Sequence, residues 1–426
     1  MSRDTQSGLA VARRPLLKAT ATGVGVAGLA GCLGDDDDDA DDGDDTQPAD
    51  DGDDADDTEP VEEVHVGGVM PYTGPFVEVA QEFEAGLLFA FDEYNGSADA
   101  EYELTFDGVD SETDPSEAVT IATQMIEQDD VSILTGPVSS DVGIAVNETA
   151  ETNEVPLVFS MVGDGGAITV DSRHTFRLGL LPAPTTAESI VQFIEDRDLQ
   201  TVRAIIADYA YGQAFREALD EYLPDDLDYE YEVAPFGEDD FSTYLRDMPD
   251  DLDVLIGTSH PPGANSIHRE ALELELNPEY VLGNSEANPN WTALGEDLTE
   301  GYLSIHQPYP YSDQYAEVAE AYGEETGDHF GVLASLGYSA GQLMVSAVEE
   351  AGGGDRAAIA EAIREGEVET LFYEPIQYTE RGELHNKRQV FSAFEVGAPD
   401  YYPDGDFTLV EEFLTDPIEG FDGHPE

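Results

Sequence analysis

Two hydrophobic patterns alternate along residues 61–426. Short apolar runs rich in Val, Ile, Leu, Phe and Tyr predict strands: "EVHVGGVM", "YELTFDGVD", "VSILTG", "VPLVFS", "VRAIIAD", "DVLIGTS", "EYVLGNS" and "GYLSIHQ". Between them lie longer stretches with helical spacing. In "VEVAQEFEAGLLFAFDEY", Phe83, Leu87, Leu88 and Phe91 recur at three- and four-residue steps, and "PSEAVTIATQMIEQ" and "GANSIHREALELEL" follow the same rule. Strand–helix–strand repetition predicts an α/β fold with parallel sheets covered on both faces by helices. The near-continuous apolar strands agree, because a strand buried on both faces has no need to alternate. The length of this part exceeds the usual single domain and predicts two. Ligands on such sheets bind beyond the carboxyl ends of the strands, so the residues just after each strand are where a site is sought.

Upstream of residue 61 the pattern changes twice. Arg13 and Arg14 precede Pro15-Leu16-Leu17-Lys18, and a weakly apolar, small-residue run follows from Ala19 to Ala30. This is the layout of an export signal, residues 1–31, and the run is too short and too rich in Gly, Ala and Thr to span a bilayer. The paired arginines resemble a twin-arginine signal, and Leu29-Ala30-Gly31-Cys32 resembles a lipobox. That resemblance implies cleavage before Cys32, the only cysteine of the chain, and lipid on its sulfur and new amino group. The mature protein would then be held at the outer face of the cell membrane. From Asp35 to Pro60 the chain offers nothing to bury, so residues 32–60 read as a lipidated cysteine and a disordered, self-repelling tether. Fully extended, the Asp-rich part reaches at most about 80–90 Å. It lacks the Gly and terminal Glu of a calcium-binding loop.

Acidity continues past the tether. Lys and Arg total 16 against 95 Asp and Glu, a formal net charge of -79. Nucleic acid is disfavoured as a partner, since it needs a basic surface. At low ionic strength such a charge repels itself, whereas in molar salt the Debye length is about 3 Å and the repulsion is screened. The composition reads as a halophile's surface. A single cysteine excludes an internal disulfide, and the eight histidines show no H-E-x-x-H or comparable metal spacing. No cofactor or metal is expected; His65, His174, His306 and His424 read as structural or solvated.

Three post-strand loops carry candidate binding chemistry. "MPYTGPF" has Gly and Pro around a sharp turn beside Tyr72 and Thr73. "GPVSSDVGIAVNETAE" places Ser139 and Ser140 as N-caps of a helix whose free N–H groups would suit a carboxylate, although plain capping is the commoner use of such serines. "SMVGDGGAIT" is a small-residue loop that lets backbone approach a ligand.

With these come "DSETDPSEAV", "ADYAYGQAFREAL", "GEDDFSTYL", "ASLGYSAGQLMVSAVEEAGG" and "FYEPIQYTERGE". In this order, from about Val64 to about Gly405, the set resembles ABC-transporter solute receptors of the type I periplasmic-binding fold. Within them it most resembles the leucine/isoleucine/valine-binding branch. The resemblance implies two doubly wound parallel-sheet lobes joined by a three-segment hinge. Lobe one would hold residues 61–180 and 309–389, and lobe two residues 181–308 and 390–426. It also implies a small solute, most simply a branched-chain or other amino acid, captured by lobe closure and passed to ABC permease and ATPase subunits, with no chemistry done on it.

Site residues carry over unevenly. The family serine that binds the solute carboxylate falls on Ser140, the covering aromatic of lobe two on Tyr211 in "AYG", and the acid that takes the ammonium near Glu286 in "GNSEANP". His260 in "GTSHPPG" replaces a usual tyrosine. The family's Ala-x-Thr falls on Met161 and Gly163, so the threonine hydroxyl is missing, with Asp164 or a backbone N–H near Gly163 as stand-ins. An aromatic contact is lost near Val79. These departures leave a short amide, urea or a keto-carboxylate open as the solute.

Other classes have weaker marks. "GYSAG", Gly337 to Gly341, fits the nucleophile elbow of serine hydrolases, but helical spacing continues through it, so Ser339 reads as a small helix-face residue and no enzyme is expected. A ligand sensor on the same fold would share every feature of the lobes.

Overall fold

The computed structural model describes residues 61–249, 251–258, 263–283 and 287–423. The signal, Cys32 and the tether fall outside these, as do His260 and Glu286. The chain runs β1 (Glu62–Met70), α1 (Val77–Asn95), β2 (Tyr102–Asp110), α2 (Pro115–Glu127), β3 (Ile133–Thr135), α3 (Ser140–Thr152), β4 (Leu157–Phe159) and β5 (Thr175–Arg177). These strands form one parallel sheet in the order β2-β1-β3-β4-β5. There follow α4 (Ala183–Arg197), β6 (Thr201–Asp208), α5 (Ala210–Tyr222), β7 (Asp228–Pro235), α6 (Ser242–Leu245), β8 (Val254–Gly257), α7 (Gly263–Glu273), β9 (Tyr280–Leu282), α8 (Ala287–Leu294) and β10 (Tyr302–His306). After α9 (Asp313–Thr326), α10 (Val332–Ala351) and α11 (Arg356–Glu365) come β11 (Val390–Val396) and β12 (Phe407–Leu414).

The second sheet has the order β12-β11-β10-β9-β8-β6-β7. It is parallel from β7 to β10, and β11 and β12 add an antiparallel hairpin at its edge. The expected α/β class with two parallel sheets is therefore what the molecule has, and the hairpin is an addition to it. Helices α1, α10 and α11 pack with one face of the first sheet, and α2 and α3 with the other. Helices α4 and α5 cover one face of the second sheet, and α7 and α8 the other.

The α1–α10 contact explains the glycines of "GYSAG". A Cβ on Gly337 would stand 1.9 Å from the Phe83 carbonyl oxygen, and one on Gly86 would stand 1.8 Å from that of Ala334. Glycine is needed because two helix backbones nearly touch. Ser339 lies inside α10, fully buried, its hydroxyl donating to the Ser335 carbonyl at 2.8 Å. A strained strand-to-helix turn is absent there, so the elbow reading has no structural footing.

The chain crosses between the sheets after β5, after β10 and before β11. Side chains tie the crossings together. Gln307 Oε1 accepts from the Leu180 amide at 3.2 Å, and Ser189 hydrogen-bonds Gln389. Tyr311 donates to Ser392 Oγ at 2.6 Å, and that hydroxyl lies 2.8 Å from His306 Nε2. His306 Nδ1 is 2.7 Å from the Pro308 carbonyl, so the neutral Nδ1–H tautomer completes a one-way chain of donors. Burial lowers His306 to about 4.

Two outcomes are expected. Gly337→Val should cost about 1–3 kcal/mol by overpacking, while Ser339→Ala stays within about 1 kcal/mol, in urea unfolding at molar KCl. His306 is neutral when folded and takes up a proton near pH 6.5 when unfolded. Its contribution is thus complete above pH 6.5 and is lost as pH falls toward 4. Urea midpoints should drop between pH 7 and pH 5, and His306→Gln should lessen that drop, the remainder coming from His329 and His268, which burial lowers as well.

Candidate functional site

The loop after β3 and the loop after β4 are sewn together at the start of α3. Ser139 occupies the N-cap position in extended conformation but makes no side-chain capping bond. Ser140 is already helical. The capping role expected of this pair is therefore not what the two hydroxyls do. The buried Ser140 Oγ instead accepts from the amides of Gly163, at 3.3 Å, and Asp164, at 3.1 Å. With both acceptor positions of the hydroxyl taken by the protein, its proton remains to be donated. Ser160 Oγ and the Met161 amide both donate to the Pro137 carbonyl, at 2.8 and 3.3 Å. Met161 points into the first core, 3% exposed.

Gly163 is filled from the other side of the molecule. A Cβ there would meet the Tyr211 ring at 2.6 Å and Leu180 Cδ2 at 2.7 Å. The space that a threonine side chain would need thus belongs to Tyr211 and Leu180. The two candidate stand-ins are also engaged: the Gly163 and Asp164 amides go to Ser140, and Asp164 Oδ1 takes the Gly166 amide at 2.6 Å. Burial raises the Asp164 carboxyl, with Asp141 adding to the shift and Arg177 opposing it.

Tyr211 is nearly buried and stacks on Phe215, ring centroids 5.6 Å apart. It belongs to a ladder of rings that crosses from one sheet's loops to the other's. Tyr209 lies 6.1 Å from Tyr211 and 5.1 Å from Phe236, and Phe236 stacks at 6.1 Å on Phe76, beside the "TGPF" turn. Asp141, in the first turn of α3, accepts from the Ala210 amide at 3.4 Å. The structure thus brings Ser140, Gly163 and Tyr211 together, sets Met161 behind them in the core, and leaves His260 and Glu286 outside the described residues.

The loop carrying Gly163 has a support that the sequence reading missed. Arg177 is fully buried and pairs with buried Glu383 at 2.7 and 3.0 Å. Its guanidinium also donates to the Val162 carbonyl and, at 2.9 Å, to that of Asp164. A guanidinium taken from water needs both a counter-charge and acceptors, and here it has both. The available signal was an arginine among apolar neighbours in "HTFRLG", in a chain with few cations.

Comparison with known proteins agrees with this architecture. A family model described as periplasmic binding protein matches residues 63–397. The leucine-, isoleucine-, valine-, threonine- and alanine-binding protein of Pseudomonas aeruginosa is 23% identical over 332 residues, 74% of this chain and 86% of that protein. A leucine binding protein from Thermotoga maritima superposes with a TM-score of 0.68 at 22% identity, covering 83% of this chain and 99% of its own. An ABC-transporter solute binding protein from Rhodopseudomonas palustris BisB5, solved with 3,4-dihydroxybenzoic acid, gives 0.71 at 18% identity, covering 84% and 98%.

Restoring the missing hydroxyl should fail for lack of space. Gly163→Thr should destabilise by about 1–3 kcal/mol through collision with Tyr211. In a Tyr211→Ala background the same change should cost less, giving a coupling above about 0.5 kcal/mol in a double-mutant cycle of urea unfolding.

Proposed function

Because the chain belongs to the periplasmic binding protein family, we propose that it is the extracellular solute-binding subunit of an ABC importer. It captures a small solute, an amino acid first, by closure of its two sheet units and presents it to a membrane permease. The observation that carries this reading is the meeting of Tyr211, from the second sheet's side, with Gly163 and Ser140, from the first. A solute bound there touches both sides, binds the closed form better than the open one, and shifts the population toward closure. Ser140, with a proton to give, is the donor for a solute carboxylate or carbonyl. The family resemblance gives Glu286 the role of partner for an ammonium and puts His260 in the place of the family's tyrosine; both lie outside the described residues. Lipid on Cys32 would hold the receptor at the outer membrane face, with the Asp-rich segment as its tether.

One observation favours a neutral solute instead. The loop amides nearest Ser140 are already engaged, and Asp141 and Asp164 put two carboxyl groups beside it. A short amide or urea escapes the repulsion that a carboxylate would meet. The Rhodopseudomonas palustris protein of the same fold holds 3,4-dihydroxybenzoic acid, so aromatic acids join the test compounds.

Thermal unfolding of the full chain in molar KCl separates these readings. The panel contains branched and polar amino acids, short amides, urea, keto-acids and aromatic acids. At a hundredfold excess over its dissociation constant, the true solute should add about 2.7 kcal/mol of stability. Ser140→Ala and Tyr211→Ala should each remove that shift. A folded protein unmoved by the whole panel would sink the proposal of an amino-acid or amide receptor.

A further inference from the structure

Residues 415–423 leave β12 of the second sheet and return toward the first. On the way they follow the crossing that precedes β11. The Thr415 amide donates to the Gln389 carbonyl at 3.1 Å, and the Thr415 hydroxyl accepts the Gln389 amide at 2.9 Å. Ile418 exchanges two backbone hydrogen bonds with Lys387, at 2.9 and 3.1 Å. Gly420 then lies on the first sheet's side. A Cβ there would stand 2.5 Å from Thr379 Cγ2 and 3.0 Å from the carbonyl oxygen of Leu384, a member of the first core. The next residue reaches the loop after β4, since a Cβ on Gly165 would stand 2.9 Å from the Phe421 ring.

Gly165 directly follows Gly163 and Asp164, whose amides Ser140 accepts. Arg177 holds the carbonyls of Val162 and Asp164 from within, and Phe421 covers the residue after them. The loop is thus clamped between a buried guanidinium and a half-buried ring. The ring hangs on a segment hydrogen-bonded to a crossing, so a rotation of the halves about that crossing is felt at Phe421.

Seating the ring has an electrostatic cost. A gap of about 660 Å³ separates Phe421 and the loop from α4 and α5. Asp164, Glu419 and Asp422 line it on one side, Glu188 and Glu221 on the other. Among the described residues that line it there is no Lys or Arg, and Glu217, the remaining acid, has its own partner in Arg216 at 3.1 Å. The two sides feel each other across the gap. Burial raises the Glu188 carboxyl and Glu419 adds to the shift; burial likewise raises the Tyr222 hydroxyl, with Glu221, Glu188 and Asp422 adding. Seating Phe421 carries Glu419 and Asp422 toward like charges. In molar salt, where the Debye length is about 3 Å, that repulsion is largely screened.

We propose that residues 415–423 form a strap across the hinge and that Phe421 is a positioning residue for the Ser140 site, seated firmly only when salt screens the carboxylates beside it. The inference rests on the reading of that site as the solute site. The acids of the gap bind nothing in this role. They set the ionic strength at which the strap holds the loop, and with it the two amides that orient the Ser140 hydroxyl.

Hydrogen exchange of the full chain, read by mass spectrometry with no solute added, tests this. In molar KCl, Phe421→Ala should speed exchange of the Gly163 and Asp164 amides about tenfold, the scale of a lost half-buried ring, while the amides of β8 keep their rate. Phe421→Leu should restore most of the protection. In the wild-type protein the same two amides should exchange faster as KCl is lowered within the range where the chain stays folded, β8 again being unmoved. Glu419→Gln/Asp422→Asn, two changes at exposed positions, should lessen that salt response. An unchanged loop in Phe421→Ala, a loss of protection shared equally by β8, or a salt response that the Glu419→Gln/Asp422→Asn variant keeps in full overturns the proposal. Because no solute is added, a solute panel without a hit counts against the receptor reading alone, and an unmoved loop counts against the strap alone.

Discussion

The candidate site rests on one buried guanidinium. Arg177 ends β5, pairs with Glu383, and holds the carbonyls of Val162 and Asp164, so the loop after β4 has one position relative to the sheet. That loop in turn presents two amides to Ser140, which fixes the first turn of α3. The Arg177 amide also donates to the Gly382 carbonyl at 2.9 Å, so the same residue docks a segment some two hundred positions away. Removing either charge would leave the other buried and uncompensated, a far larger disturbance than losing one surface pair.

The use of cations elsewhere follows this example. In a chain with 16 Lys and Arg against 95 acids, neutralising the surface with basic residues is out of reach. The few available are placed against backbone carbonyls. Arg356 binds those of Val131 and Ile126, Arg388 that of Thr415, and Lys387 those of Glu374 and Pro375. Salt at molar concentration can screen exposed carboxylates at short range. It cannot supply the directed N–H donors that loop ends and helix ends require. Solvent and side chain thus divide the electrostatic work.

What could be read from the sequence follows burial. Strands β1 and β6 were legible because their residues form long apolar runs, β2 because Tyr102, Leu104 and Phe106 alternate with polar residues, and α1, α2 and α7 because one face repeats. Strand β7 was not, since it lies at an edge with its acids outward and reads "DYEYEVAP". Strand β5 was not either, since its three residues, Thr175–Arg177, include a hydroxyl and a cation and form no apolar run. The site was legible in its parts and not in its contacts. Helix spacing located the start of α3, but that Ser140 would serve the loop after β4 depends on two strands lying side by side. The resemblance exposed the loss of a threonine at Gly163. What fills its place, Tyr211 and Leu180, is decided by how the two halves of the chain meet.

The Phe76–Phe236 stack joins the turn after β1 to the turn after β7, from opposite halves of the molecule. In the role proposed above, these rings would separate whenever the halves part, whether or not a solute is present. The stack would then bias the empty protein toward its shut form. Such a bias would lengthen the residence of a trapped solute, since release would break the stack as well as the solute's own contacts. It would also let shut but empty molecules meet a permease, so the pair of rings that slows escape would set a floor on unproductive engagement.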